Sequence, residues 1–253
     1  MGTVDKALGL LGLFSIEEPQ WTVEAAASRT GIPTSTAYRY FRSLNEAGLI
    51  TDFSAGRYVI GPAVIHLDRV ARGTDPLVLA AQDAMDNLIN RGPDRSVVIL
   101  ARIFDRRVMC VDQRRKGYHP LTISYERGRP MPLYRGSVSK IILAHLSPRL
   151  IVRCFHDDRI DIEEAGLGSD LKSFRRNLRL IRRAGYSVTH GEVDKGVIGI
   201  AAPILSPNGD VFACLSLVVA EETTPEGSIE KLVALVRKEA LAVTASLGLM
   251  SDN

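Results

Sequence analysis

The chain is short of the features that would place it among disulfide-stapled, membrane or enzyme classes. Its three cysteines, Cys110, Cys154 and Cys214, are odd in number and far apart, which excludes a disulfide framework and a zinc cluster. Such thiols read as small buried hydrophobes in a reducing compartment. Long apolar runs are missing: the stretch from Val211 to Ala220, broken by Ser216, falls well short of the ~20 residues of a membrane helix. The opening Met1-Gly-Thr-Val-Asp-Lys lacks the basic and then apolar order of an export signal, so a cytoplasmic protein is expected. No G-x-S-x-G, G-x-G-x-x-G, Walker loop or H-E-x-x-H occurs. Ser137 to Lys140 spells S-x-x-K and Ser251-Asp252-Asn253 spells S-D-N. The second lies on the last three residues and no K-T-G accompanies it, so a penicillin-binding site is rejected and no enzyme is expected. The five histidines, His66, His119, His145, His156 and His190, have no metal-ligand spacing, although His156-Asp157-Asp158 could hold a cation weakly. No cofactor is implied.

A large charge excess is lacking too. The net charge is +3, and residues 1–62 hold five Lys/Arg against six Asp/Glu, so total charge argues for no partner and only its placement can. What is present is a globular composition, 45% apolar and 24% charged, in 253 residues, enough for two domains. Val4, Ala7, Leu8, Leu10, Leu11 and Phe14 recur at helical spacing and predict a helix over Thr3 to Phe14. Thr22 is an N-cap for a second helix that Gly31 closes, and Pro33-Thr34-Ser35-Thr36 opens a third running to Gly48. Leu49-Ile50-Thr51 and Arg57-Tyr58-Val59-Ile60 flank a small polar tip and predict a hairpin. Helix, helix, turn, helix and hairpin is a winged helix-turn-helix, whose third helix enters the major groove of double-stranded operator DNA. That helix carries no acid between Thr30 and Asn45, and Thr34, Ser35, Thr36, Tyr38, Arg39 and Arg42 are donors for phosphates and base edges. Ala37, Phe41 and Leu44 fall on the opposite face, and Arg57 sits beside the hairpin tip.

Residues 1–62 therefore form a DNA-binding domain, 63–75 a helical linker, and 76–253 a second domain. There Pro76 to Asn90 reads as a helix, and Ser96 to Ile103, Val108 to Val111 and Leu121 to Tyr125 read as strands, the first two joined across Asp105-Arg106. Val197 to Leu205 and Val211 to Val219 pair across Pro207-Asn208-Gly209-Asp210. Helices are predicted from Ser147 to Phe155, from Asp170 to Ala184 and from Glu226 to Leu247. The fold class is α+β, an antiparallel sheet with helices beside it. The arginines of 170–184 face away from its apolar stripe, as a solvated face or a second nucleic-acid surface. Gly136-Ser137-Val138-Ser139 starts an apolar helix whose free N–H groups suit an anion. Ser216 is a lone hydroxyl on an apolar strand face, satisfied either by backbone or by a ligand.

Val4-Asp5-Lys6-Ala7-Leu8, Ala25 to Gly31, Pro33 to Arg39 and Glu46-Ala47-Gly48-Leu49-Ile50 resemble the DNA-binding domain of the IclR family of bacterial regulators. Gly185-Tyr186-Ser187-Val188 leading into Gly191 to Ile204 resembles that family's effector domain, so the resemblance spans nearly the whole chain. The recognition helix departs from the family in having Thr34 where a basic residue is usual, which affects base preference and not the fold. The resemblance implies a GAF-like second domain, a homodimer or dimer of dimers, and a small-molecule effector, a carboxylate, held by Ser137, Val138, Gly199 and Ser216 between apolar walls Ile123, Met131 and Val197. Relatives that bind very small oxoacids carry polar or sulfur groups where this chain has Gly199 and Val218, and a histidine where it has Tyr134. The expected consequence is a larger, drier cup and an effector such as an aromatic carboxylate. A small-molecule-binding module whose winged helix contacts protein is the alternative reading.

Overall fold

The computed structural model describes residues 2–104, 106–118, 121–206 and 208–251, without the side chains of 249–251. It divides into two units, residues 1–75 and 76–253. Asp105, His119, Pro207 and the terminal Asp252-Asn253, which figure above in turns, in the histidine survey and in S-D-N, lie outside the described residues.

Among its described residues the first unit has four α-helices and a small three-stranded sheet. The predicted first helix splits into α1 (Thr3–Gly9) and a 3-10 turn (Leu10–Leu13). Gly9 and Gly12 weaken a continuous α-helix here, and the indole of Trp21 donates to the carbonyl of Leu13 at 3.0 Å. A two-residue strand β1 (Trp21–Thr22) leads into α2 (Val23–Thr30), whose first turn is capped by Thr22 accepting from Ala25 N at 3.2 Å. Helix α3 (Thr34–Glu46) buries Ala37, Tyr40, Phe41 and Leu44 against Ala26, Ala27 and Ile50. Phe41 also meets Tyr58 edge-on at 5.0 Å, a pairing worth about 0.5–1.5 kcal/mol beyond area burial. Strands β2 (Ile50–Ser54) and β3 (Arg57–Ile60) make the predicted hairpin, turning through Ala55 and Gly56, both at positive φ. β1 pairs with the free edge of β3, giving the order β1-β3-β2. Helix α4 (Pro62–Thr74) follows, with Pro62 in its first turn.

The second unit is built on a six-stranded antiparallel sheet. Helix α5 (Pro76–Arg91) precedes β4 (Ser96–Phe104) and β5 (Arg107–Arg115). A two-residue strand β6 (Pro130–Met131) leads to α6 (Ser137–Ala144), α7 (Pro148–Asp157), α8 (Arg159–Glu164) and α9 (Leu171–Ala184). Strands β7 (Ser187–His190), β8 (Val197–Leu205) and β9 (Val211–Ala220) then precede the long α10 (Ile229–Ser251). The sheet order is β6-β5-β4-β9-β8-β7. One face packs Val98, Leu100, Leu215 and Leu217 against Leu77, Met85 and Leu88 of α5 and Val236, Ala240 and Val243 of α10. The other packs Val97, Ile99, Cys214 and Val218 against Val138, Ile141 and Ile142 of α6 and Phe174 and Leu178 of α9. β4 is central and covered on both sides, which is why Val97 to Ala101 are continuously apolar.

The strand expected at Leu121 to Tyr125 does not form. Its alternation is real, with Leu121, Ile123 and Tyr125 buried, but the segment joins no ladder and its Ser124 N–H goes to the Asp194 carboxylate at 2.8 Å. The edge of β5 is paired by β6 instead, Val108 opposite Met131. Helix α9 has a capping box between Asp170 and Ser173 and ends on Gly185, and its Arg176, Arg179, Arg182 and Arg183 face solvent.

Cys110, Cys154 and Cys214 are free and buried, and burial pushes the Cys110 thiol up to about 12 and the Cys214 thiol higher still. Alkylation with iodoacetamide at pH 8 is expected to leave the native protein unlabelled and to modify all three thiols in denaturant. Rapid native labelling of Cys110 or Cys214 contradicts this packing.

Candidate functional site

Two surfaces collect the residues picked out in the sequence. On α3, Ser35, Arg39 and Arg42 recur at four- and three-residue steps and form one solvent-facing row, with Thr34 exposed at the helix start. Thr36 is half-buried. Arg42 pairs with Glu46 at 2.9 Å, but the two side chains are 81% and 62% exposed. A pair so open to water contributes little and releases its guanidinium readily to a phosphate. Tyr38 is exposed as well, and its hydroxyl donates to Glu24 Oε1 at 2.5 Å, which links α3 to α2 at the surface. That hydrogen bond raises the Tyr38 pKa and lowers that of Glu24. Arg57 is exposed at the start of β3, opposite Ser54 across the turn.

In the second unit a small cavity of about 30 Å³, partly open to solvent, lies between the start of α6 and strands β7 to β9. Of the expected effector residues it brings together Ile123, Ser137, Val138, Val197 and Gly199, with Val218 beside them. Ser137 is 3% exposed, and it lines the cavity. Its backbone N–H goes to Thr189 Oγ1 at 3.1 Å.

Three expected residues do not line the cavity. Ser216 is fully buried and donates to the Ile200 carbonyl at 2.8 Å, so the backbone satisfies it. Tyr134 donates to Asp158 Oδ2 at 2.6 Å, and Arg106 brackets Asp157 and Asp158 at 2.9 Å each, which fastens Tyr134 to the end of α7. Burial raises the Tyr134 pKa, and the bond to Asp158 adds to the shift. Met131 is spent on β6, packed in the core opposite Val108.

The expected enlargement at Gly199 is also corrected. A Cβ there would fall 2.7 Å from Ser137 Oγ and 3.3 Å from Thr189 Oγ1, so those hydroxyls already fill the space a side chain would take. Gly199 serves the close approach of α6 to β8. Nor is the cup dry, because Thr189, Glu192 and Asp194 also line it. Sequence reasoning missed these three. Glu192 Oε2 accepts from Gly136 N at 3.0 Å and Glu192 Oε1 from Lys140 Nζ at 2.5 Å, so one of the N–H groups at the helix start is taken by a carboxylate of the chain itself. Asp194 holds both the N–H and the hydroxyl of Ser124, at 2.8 and 2.5 Å. Tyr125 reaches Ser139 Oγ at 2.8 Å, and since Ser139 gives its own proton to Pro132 O at 2.6 Å, the tyrosine is the donor. The signals for Glu192 and Asp194 in the sequence are the turn-forming run Gly191 to Gly196 between two apolar strands and its place in the segment that resembles the effector domain.

The model described as "Bacterial transcriptional regulator IclR C-terminal" matches residues 73–245, and that of the "IclR helix-turn-helix domain" matches residues 3–52. The HTH-type transcriptional regulator KipR of Bacillus subtilis is 24% identical over 246 residues, 97% of each chain. The p-hydroxybenzoate hydroxylase transcriptional activator of Acinetobacter baylyi is 25% identical, covering 93% of this chain and 88% of its own. A crystal structure of an IclR homologue complexed with 4-hydroxybenzoate, from Microbacterium hydrocarbonoxydans, superposes with a TM-score of 0.73 at 22% identity, covering 97% of this chain and 99% of the other.

Proposed function

The chain belongs to the IclR family of bacterial transcriptional regulators, and we propose that it senses a small organic acid, best an aromatic carboxylate, in the cup at the start of α6. The observation that carries this reading is Ser137, a residue 3% exposed at the start of α6 that lines a cavity together with Ile123, Val197 and Val218. A ligand oxygen in the cavity can accept from the Ser137 hydroxyl. The apolar walls Ile123, Val138, Val197 and Val218 suit a ring. Relatives whose names speak of p-hydroxybenzoate and 4-hydroxybenzoate support the same chemical class.

The row Ser35, Arg39 and Arg42 on α3 is the base- and phosphate-reading surface, with Arg57 and Thr34 on flanking phosphates. One winged helix reads one half-site, so the working form is a homo-oligomer. Val4 and Leu8 on α1, 68% and 51% exposed, and Ile65 and Leu67 on α4, 74% and 55% exposed, are apolar surface that self-association would cover. Effector binding regulates DNA only by favouring one arrangement of the paired winged helices over another.

Calorimetry with the full chain against benzoate, 4-hydroxybenzoate, pyruvate and glyoxylate tests the effector. The aromatic acids are expected to bind at micromolar concentration and the two oxoacids at least tenfold more weakly. Binding of the small oxoacids alone overturns the aromatic reading. A gel-shift with the DNA upstream of the chain's own gene is expected to show retention that responds to the tighter acid. No retention even at low salt, where phosphate contacts are strongest, favours the protein-contact alternative.

A further inference from the structure

Glu192 makes the contacts an effector carboxylate would make. Its two oxygens take the Gly136 N–H at the start of α6 and the ammonium of Lys140, whose side chain is 12% exposed. Both Glu192 and Gly136 line the cavity that Ser137 faces. Asp194 lines the cavity as well, and an effector carboxylate entering beside Glu192 would share Lys140 with it. Like charges a few ångströms apart disfavour each other's ionised form, so both occupy the helix start together only at a cost.

We propose that Glu192 is a tethered surrogate ligand: it occupies the anion position of the cup until an effector carboxylate displaces it onto solvent and takes over Gly136 N and Lys140. The inference rests on the cup being the effector site, and it sets the chemical class of effector. A ligand without an anionic group gains nothing from Lys140 and cannot replace the Glu192 charge. A carboxylate exchanges one ion pair for an equivalent one and adds its apolar contacts.

The exchange also supplies a signal. Glu192 belongs to the segment 191–196 between β7 and β8, whose Asp194 is fastened to Ser124 and whose Val193 packs beside Gly136. Release of Glu192 frees one end of this strap while Asp194 keeps the other. The ligand-free and liganded cups therefore differ in the course of residues 191–193, a structural difference of the kind that lets a ligand shift an equilibrium.

The test is chemical rescue in the full-length chain. Glu192→Ala leaves Lys140 and Gly136 N without their anion, so its thermal midpoint is expected to fall and to recover with 50 mM acetate, but not with chloride at equal ionic strength. The wild type is expected to be indifferent to both salts. Glu192→Gln keeps the side-chain volume and a carbonyl for Gly136 N and lacks only the charge. It is expected to bind 4-hydroxybenzoate about tenfold tighter than the wild type, and it serves also where the alanine variant does not fold. Equal effects of acetate and chloride on Glu192→Ala overturn the proposal. So does 4-hydroxybenzoate affinity that is unchanged or weakened in Glu192→Gln, and in that case the effector assignment still stands. Acetate rescue without binding of any aromatic acid has the opposite meaning: the surrogate role holds and the aromatic assignment falls.

Discussion

Replacing Arg39 and Arg42 together by alanine is expected to abolish operator retention in a gel-shift while leaving the thermal midpoint and effector binding unchanged. The two side chains are exposed, on the face of α3 opposite its buried Ala37, Phe41 and Leu44, so truncating them disturbs no packing in the core. Arginine hydrogen bonds to base edges contribute about 1–3 kcal/mol each, so the pair accounts for at least about thirtyfold in affinity. If both reach phosphates instead, the slope of log affinity against log salt falls by about 0.9 for each phosphate that is no longer neutralised. The two outcomes separate base reading from phosphate reading. Glu46→Ala is the informative control. It removes the acid 2.9 Å from Arg42, and because that pair is exposed, binding is expected to be retained or strengthened. A double variant that retains operator DNA with the affinity and salt slope of the wild type removes α3 from the interface.

How much of this was legible in the sequence depends on how local the signal is. The recognition helix was readable because its pattern is self-contained: apolar residues at helical spacing, a proline at the start, and no acid among the donors. Helices α5, α9 and α10 were readable for the same reason. β1 was not, because two residues carry no period. α8, with six residues, and β7, with four, were likewise too short to separate from their neighbours. The segment Leu121 to Tyr125 misled in a more instructive way. Alternation reports that a chain is extended with one side buried, and says nothing about whether its N–H groups find a strand; here one finds a carboxylate.

The cup followed the same rule. Ser137 and Val138 were accessible because a glycine before an apolar helix is a local signal. The partners of Tyr38, Tyr134 and Ser216 were not legible because the sequence does not put them nearby: Glu24, Asp158 and the Ile200 carbonyl. Gly199 was read as an empty place, yet the emptiness of a glycine is decided by what approaches it. Glu192 lies 56 residues from Gly136 and 52 from Lys140, so only the fold could bring the three together.

Gly136 concentrates these dependencies, and its replacement by alanine is expected to damage the cup more than any change to its walls. The residue is at φ 85 and ψ 155, a region that essentially only glycine occupies, and forcing a side chain into it costs about 1–3 kcal/mol. The added Cβ would also lie 2.9 Å from Val193 Cγ2 and 3.4 Å from Tyr125 Oη, so the strap over the cavity has to move. Its N–H would no longer meet Glu192, nor an effector carboxylate in the same place. For a unit of this size each kcal/mol lowers the melting midpoint by about 2–4 °C, so a fall of several degrees is expected. Effector affinity is expected to drop more than tenfold by calorimetry. Operator binding without effector should persist, because α3 belongs to the other unit. Gly227→Ala, at a glycine with open space around it, is the control and should change none of these. A Gly136→Ala protein that melts with the wild type and binds 4-hydroxybenzoate equally well would mean that the start of α6 neither needs its left-handed residue nor touches the ligand.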